Sequence, residues 1–194
     1  MRINKEGLDL IKSFEGCILH SYDDGYGNIT IGWGHCDSSY AGKTISQVEA
    51  DRLLEQDLKR FEDAVNKYVP TYNFNANEFS ALVSFAYNCG EGCLDELLHN
   101  GTVNRSDITY RMGLYVHAGS EVVEGLVRRR AAEVELFNKP CYSNSIDYYF
   151  NLIADTLKGK YGVDAERKKK LGKDYEIVQE GINTLYDYLS KNVR

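Results

Sequence analysis

Apolar residues recur every three or four positions through most of this chain, the spacing that places them on one face of an α-helix. Near the start, Leu8, Ile11 and Phe14 follow this spacing, and the pattern stops at Glu15. We therefore predict a first helix that ends at Glu15. The segment 18–35 is rich in glycine and alternates short apolar pieces with turn-forming residues, which predicts a small antiparallel sheet built on hairpins.

Two longer helical patterns follow the predicted sheet. Ser46 and Glu49 form a capping box, which is a helix start signal, and the apolar spacing after it continues to about Lys67. We expect a loop after Pro70. The segment 79–86 carries apolar residues on several faces, which is typical of a helix that is buried nearly all round.

The rest of the chain divides into two parts. Helices are predicted over 106–117 and 124–137, so the body, residues 1–140, is expected to be α+β and mainly α, with its small sheet next to the N-terminal helix. A proline and several polar residues then interrupt the pattern, and we expect a linker at 141–145. Residues 146–194 are predicted to form a second module of three short helices.

Composition narrows the functional classes. The chain has 194 residues, 43% of them hydrophobic and 27% charged, as in soluble globular proteins. It contains no apolar run of about 18 to 20 residues and begins without an apolar signal core, so we expect neither membrane insertion nor a signal peptide. The formal net charge of −6 argues against a general nucleic-acid binder, which needs a basic face.

The five cysteines predict little chemistry of their own. Their odd number means that they cannot all pair within one chain, so reduced thiols are the simpler interpretation. Cys89 and Cys93 have no second pair of cysteine or histidine residues at ligand spacing, and we expect no metal site.

The most informative chemistry follows the first predicted helix. Glu15 at the helix end precedes a glycine-rich hairpin that contains Asp23, Asp24 and Thr30. Cleavage of a glycosidic bond needs one carboxyl group that donates a proton and one carboxylate that activates water or attacks the sugar. By themselves these residues are better explained as an exposed glutamate and as aspartates in a turn.

The spacing of these residues resembles a known family. Glu15, eight residues, Asp24, five residues and Thr30 match the catalytic pattern of the phage-type lysozymes, glycoside hydrolase family 24. The segments 81–88 and 125–133 resemble the central helix and the GLxxRR segment of the same family. The resemblance covers residues 1 to about 139.

The resemblance implies a lysozyme-like fold and a mechanism that needs no cofactor. Glu15 would be the general acid, Asp24 would orient or deprotonate water, Thr30 would help to hold that water, and Arg129 would pair with the acid. The implied reaction is hydrolysis, with inversion, of the β-1,4 bond between N-acetylmuramic acid and N-acetylglucosamine in peptidoglycan glycan strands. For His35 we expect a structural hydrogen bond to a neighbouring acid.

The second module is similar to the short wall-binding repeats of endolysins from phages of Gram-positive bacteria. The similarity covers about 40 residues and makes Arg167 and Gln179 candidate wall-binding residues. The sequence departs from the repeat at 162–164, where Gly-Val-Asp replaces a Gly-Asn-Gly turn. A structural cap or a set of dimerisation helices is the alternative.

These features predict an endolysin-type muramidase for host cell lysis. We expect it to stay in the host cytoplasm until it reaches the wall. One alternative is a lytic transglycosylase that uses Glu15 alone, and another is a catalytically silent wall-binding protein. The sequence leaves open the host bacterium, a phage or prophage origin and the oligomeric state.

Overall fold

The computed structural model describes residues 1–141 and 145–192, with the side chains of 148–191 in the second range. The chain divides into two compact units, 1–141 and 142–194. Each unit has its own cluster of buried apolar side chains. The linker expected at 141–145 falls mostly outside the described residues.

The first unit is mainly helical, with one small antiparallel sheet after the first helix, and this confirms the predicted fold class. The sheet has the strand order β1 Ile18–Asp23, β2 Ile29–Gly32 and β3 His35–Cys36, and a separate short hairpin joins β4 His117–Ala118 to β5 Glu121–Val122. The helices are α1 Lys5–Phe14, α2 Gln47–Asn66, α3 Val69–Tyr72, α4 Ala76–Cys89, α5 Glu91–Leu98, α6 Ile108–Met112 and α7 Glu124–Asn138.

Helix α4 forms the centre of this unit. It packs against α1, α2, α5 and α7, and its residues 77–86 are all buried, as the sequence predicted. A capping box fixes its start, because the Asn75 side chain accepts from the Glu78 backbone and the Glu78 side chain accepts from the Asn75 backbone. At the start of α2, by contrast, Ser46 accepts from the Glu49 backbone while the Glu49 carboxylate accepts from Arg52.

The helix predicted over 106–117 is wrong in its second half. It ends at Met112, and residues 117–122 form the β4–β5 hairpin, which turns at Gly119 with a φ of +63°. Leu114, which continues the apolar pattern within the predicted helix, is exposed. Apolar spacing therefore extended the prediction past the point where packing supports a helix. Helix α5 was not predicted, and the short α3 lies where a loop was expected.

The β1–β2 hairpin positions two of the predicted site residues. Tyr22 pairs with Thr30 across the two strands. The loop that follows is closed by the Asp24 backbone N–H, which donates to the Asn28 carbonyl at 3.1 Å. The two glycines of the loop have φ values of +82° and +86°, which side chains disfavour. Asp24 consequently lies where the loop leaves β1.

Within residues 145–192, the described part of the second unit, there are three α-helices, as predicted: α8 Ser145–Leu157, α9 Asp164–Leu171 and α10 Tyr175–Asn192. Helices α8 and α10 pack closely at Gly181, where an added Cβ would overlap the Ile153 side chain. No helix among residues 1–141 and 145–192 combines the length and the apolar character that a membrane span requires. The core of the second unit consists of Leu152, Leu171, Val178 and Ile182.

Candidate active site

An open groove of about 490 Å³ lies beside the end of α1. Glu15 leaves the helix with extended backbone angles, φ −99° and ψ 142°, while its N–H still donates to the Ile11 carbonyl. Its side chain is 27% exposed and lines the groove. The groove is lined by Glu15, Trp33, Gly34, Cys36, Asp57, Arg60, Phe61, Tyr87 and Asn88.

The structure brings Glu15 and Arg129 together. Arg129 Nη1 donates to Glu15 Oε1 at 2.6 Å, and the Arg129 side chain is only 5% exposed. Its guanidinium also lies 5.7 Å from the centre of the Phe14 ring. Arg128 points to solvent and Arg130 is buried, because consecutive residues of a helix face different directions.

A second carboxylate, that of Glu133, also contacts Arg129. Glu133 was not among the site residues predicted from the sequence. Glu133 Oε1 accepts from Ser84 Oγ at 2.8 Å and from Arg129 Nε at 3.3 Å. Burial raises the pKa of Glu133, and the adjacent Arg130, the Ser84 hydroxyl and Arg129 oppose this effect. The spacing of Arg129, Arg130 and Glu133 on one helix was visible in the sequence, but only the packing of α7 against α4 reveals that Glu133 is buried.

Asp24 lies at the hairpin loop and is not one of the groove-lining residues. Its Oδ1 accepts from the backbone N–H groups of Tyr26 and Asn28, and its Oδ2 accepts from the Asn28 side-chain amide at 2.9 Å. These bonds, led by that of the Asn28 amide, hold the pKa of Asp24 below its ordinary value. Because a carboxylate oxygen has two lone pairs, Oδ2 can accept one further donor, such as a water molecule.

Thr30 is buried in the sheet, with 4% exposure. It pairs with Cys36 on β3, and its Oγ1 lies 3.4 Å from Cys36 Sγ. Cys36 lines the groove, so Thr30 lies one side chain away from the groove that contains Glu15.

His35 forms the hydrogen bond that the sequence predicted. Its Nδ1 lies 2.9 Å from both carboxylate oxygens of Asp57 on α2, which ties β3 to that helix. On another wall of the groove, the Tyr87 hydroxyl donates to the Trp33 carbonyl at 2.8 Å. Burial, followed by the charge of Glu15, raises the pKa of Tyr87, so that its hydroxyl keeps its proton.

Trp33 contributes the indole ring of the groove. Its Nε1 donates to Asp51 Oδ1 at 2.8 Å, and the Lys12 ammonium lies 5.5 Å from the ring centre. Sequence reasoning did not single out this residue. Its place between two glycines in the motif that carries Thr30 was the available signal.

In the second unit the structure brings Arg167 and Gln179 together. Arg167 Nη1 donates to Gln179 Oε1 at 3.1 Å, and Gln179 Nε2 donates to Asn183 Oδ1 at 3.1 Å. Arg167 Nε also donates to the Gly162 carbonyl at 3.2 Å. No group of three or more histidine, cysteine, aspartate or glutamate side chains that could hold a metal ion occurs in the part of the chain described.

A helical body with a small sheet after its first helix, and a glutamate at the end of that helix facing a groove, defines the class of lysozyme-fold proteins. The chain belongs to the phage lysozyme family, whose model matches residues 12–133. In the second unit, the CW_7 repeat matches residues 151–185. Both findings confirm the resemblances stated from the sequence.

Individual relatives are similar over 71% to 75% of this chain. The endolysin of Lactococcus phage c2 is 42% identical over a match of 158 residues, and the match covers 75% of this chain and 64% of the relative. The endolysin of Bacillus phage PZA is 38% identical over a match of 146 residues, and that match covers 71% of this chain and 55% of the relative. The chain thus spans less than two thirds of the length of either. The muramidase domain of SpmX from Asticaccaulis excentricus has a TM-score of 0.65 and 34% identity, covering 72% of this chain and 99% of that domain.

Proposed function

We propose that this protein is an endolysin-type muramidase, which hydrolyses the β-1,4 bond between N-acetylmuramic acid and N-acetylglucosamine in peptidoglycan. The observation that carries this proposal is the position of Glu15 at the end of α1, in the groove and paired with Arg129. The proposal is supported by membership of the phage lysozyme family, and by the two phage endolysins and the muramidase domain among the relatives of this chain.

In the proposed reaction Glu15 donates a proton to the leaving oxygen. Asp24 orients or deprotonates the attacking water, and Thr30 helps to hold that water. The donors around Asp24 favour its ionised form, and its Oδ2 retains one acceptor position for the water. Attack by water from the opposite face of the sugar gives inversion at the anomeric carbon.

The side chains that line the groove suit a sugar that carries acetamido groups. It combines aromatic surface from Trp33 and Tyr87 with the amide of Asn88 and the charged side chain of Arg60. Sugar rings pack on aromatic faces, while their hydroxyl and acetamido groups need hydrogen-bonding partners. The reaction as proposed uses side chains alone and requires no cofactor.

We propose that the second unit binds the cell wall and raises the local concentration of the enzyme at its substrate. The match to the CW_7 repeat supports this role. Arg167 and Gln179 are the proposed contacts, since a guanidinium and an amide can bind peptide carboxylates and sugar amides. Before lysis the protein is proposed to reside in the host cytoplasm, and to act on the wall after release.

Product analysis tests the enzymatic proposal. Purified Gram-positive cell walls are digested with wild type, Glu15→Gln and the control Glu6→Gln, which changes an exposed glutamate of the same helix. We expect wild type and the control to release reducing muropeptides that incorporate one oxygen from labelled water. Glu15→Gln should lose about a hundredfold to ten-thousandfold in rate, the usual contribution of a general acid.

The two rivals predict different results in the same experiment. Anhydro products without labelled oxygen would identify a lytic transglycosylase. Wall binding without any released product would identify a silent wall-binding protein. Equal digestion by wild type and Glu15→Gln would show that Glu15 is not the general acid.

A further inference from the structure

The buried carboxylate of Glu133 connects to the groove along two routes. It lies on α7, four residues after Arg129 and three after Arg130, and it has no exposed surface. Along the first route Arg129 contacts Glu133 through Nε and Glu15 through Nη1. One guanidinium thus bridges the candidate acid and a carboxylate in the core.

The second route runs through Arg130 to another residue that lines the groove. Arg130 Nη2 donates to Glu133 Oε1 at 3.1 Å and to Asn88 Oδ1 at 2.9 Å. Asn88 lies near the end of α4 and lines the groove. Glu133 therefore fixes two arginines, each of which holds one side chain of the groove.

The contacts of Glu133 are those of an ionised carboxylate. Its Oε1 accepts from Ser84, Arg129 and Arg130, and its Oε2 lies 2.9 Å from Arg130 Nε. The guanidinium groups of Arg129 and Arg130 can only donate, and the Ser84 hydroxyl donates to Oε1, so these contacts favour the ionised form. Two carboxylates and two guanidinium groups then balance in charge.

This balance matters to a general acid. An adjacent guanidinium favours the ionised form of a carboxyl group, whereas a general acid must hold its proton. A negative charge on the far side of Arg129 weakens that effect. The charged and titratable groups that face Glu15 are Arg129 on α7, Tyr87 on α4, Asp57 and Arg60 on α2, and Cys36 on β3. Those that face Glu133 are Arg129, Arg130 and Cys89.

We propose that Glu133 is a positioning residue of this active site: it holds Arg129 and Arg130 against Glu15 and Asn88, and its charge offsets theirs so that Glu15 can carry a proton. The inference rests on the proposed glycosidase function. Glu133 acts through the two arginines and does not itself touch the sugar.

The first test is a pH–rate profile of wall digestion for Glu133→Gln, with Glu135→Gln, an exposed glutamate on the same helix, as the control. We expect Glu133→Gln to lower kcat about tenfold, to change KM less than about twofold, and to move the alkaline limb about one pH unit lower, the scale expected for one buried charge. The control should match wild type. A lower Tm with an unchanged pH profile, measured well below that Tm, would mean a purely structural role and overturn the proposal.

A second variant keeps the test decisive if Glu133→Gln does not fold. Glu133→Gln combined with Arg130→Met removes one charge of each sign, so the alkaline limb should return close to that of wild type while kcat stays low. If the alkaline limb of the double variant lies about one pH unit below that of wild type, or if both variants keep the wild-type limb, charge balance is refuted. Carbon-13 NMR titration of the Glu15 carboxyl group gives the same comparison without substrate. The midpoint should move to lower pH in Glu133→Gln, and an unmoved midpoint refutes the proposal. Because this readout does not depend on catalysis, a wild type that fails to digest walls would count against the proposed function alone.

Discussion

Arg129 donates to Glu15 at 2.6 Å although 114 residues separate the two in the chain. The bond joins the last helix of the first unit to the end of its first helix, so the candidate acid is placed only when the whole unit has folded. Arg129 is itself fixed by Glu133 on the same helix. The site is thus anchored in the core, whereas Asp24 is fixed by the local contacts of its own hairpin loop.

Replacing Asp24 should remove its contribution to the pH dependence of the Tm. The pKa of Asp24 is lowered first by the Asn28 amide and then by the backbone N–H groups of Tyr26 and Asn28. A carboxyl group whose pKa is lowered on folding stabilises the folded state at pH values above its ordinary pKa of 3.8. This contribution is lost as the pH falls through the lower pKa of the folded state. In Asp24→Asn the Tm deficit relative to wild type should be constant above about pH 5 and shrink below 3.8. Calorimetry across this pH range measures the Tm difference, with Asp23→Asn as the control. A difference that does not change with pH would contradict the role of the Asp24 carboxylate in stability.

Trp33 should report sugar binding by fluorescence. It is the one tryptophan of the chain, and it lines the groove with its indole N–H bonded to Asp51. Adding chitotriose or a soluble muropeptide to Glu15→Gln, which binds without cleaving, should shift the emission to shorter wavelength as the ring is desolvated. Maltotriose, which lacks acetamido groups, is the control ligand. Saturable binding measured by calorimetry with no change in emission would locate the sugar elsewhere.

The central helix should dominate the stability of the first unit. Leu82 on α4 is fully buried, so Leu82→Ala should lower the free energy of unfolding by about 2–5 kcal/mol through lost burial and a residual cavity. Val48→Ala, at a position that is 80% exposed on α2, should change it by less than about 0.5 kcal/mol. Urea unfolding followed by circular dichroism gives both values. Similar losses for the two variants would contradict the central position of α4.

The second unit should bind walls through the pair Arg167 and Gln179. The double variant Arg167→Ala with Gln179→Ala should sediment less with purified walls, about tenfold weaker, because two polar contacts are removed. Its rate on soluble glycan fragments should equal that of wild type, since tethering does not affect a dissolved substrate. Lys169→Ala, which removes an exposed charge from the same helix as Arg167, is the control. Unchanged sedimentation of the double variant would assign wall binding to other residues.

The sequence predicted those elements whose signals are local. The buried helix through 79–86, the end of α1 at Glu15 and the glycine-rich hairpin were all expected, because helical periodicity, helix termination and turn residues act over a few positions. The hydrogen bond of His35 to an acid was expected as well. The partner Asp57 was not identified, since it lies 22 residues away on another element.

Local signals failed where packing decided the outcome. Leu114 continued an apolar pattern but is exposed in the structure, and the helix ends at Met112. Helix α5 was overlooked, although three of its leucines are buried. Periodicity measures which residues are apolar, and only tertiary contacts determine which of them are covered.

The sequence by itself determined the family, the mainly helical fold and the identity of the candidate acid. The family motif and the helical spacing both depend on residues that lie close to one another in the chain, so they can be recognised without the fold. The tertiary structure alone decided how that acid is held. The buried Glu133 and the two arginines it fixes lie on α7, whereas the groove residue Asn88 lies on α4 and Glu15 at the end of α1. They meet because α7 packs against α4 and α1, and in that buried setting each charge needs a partner.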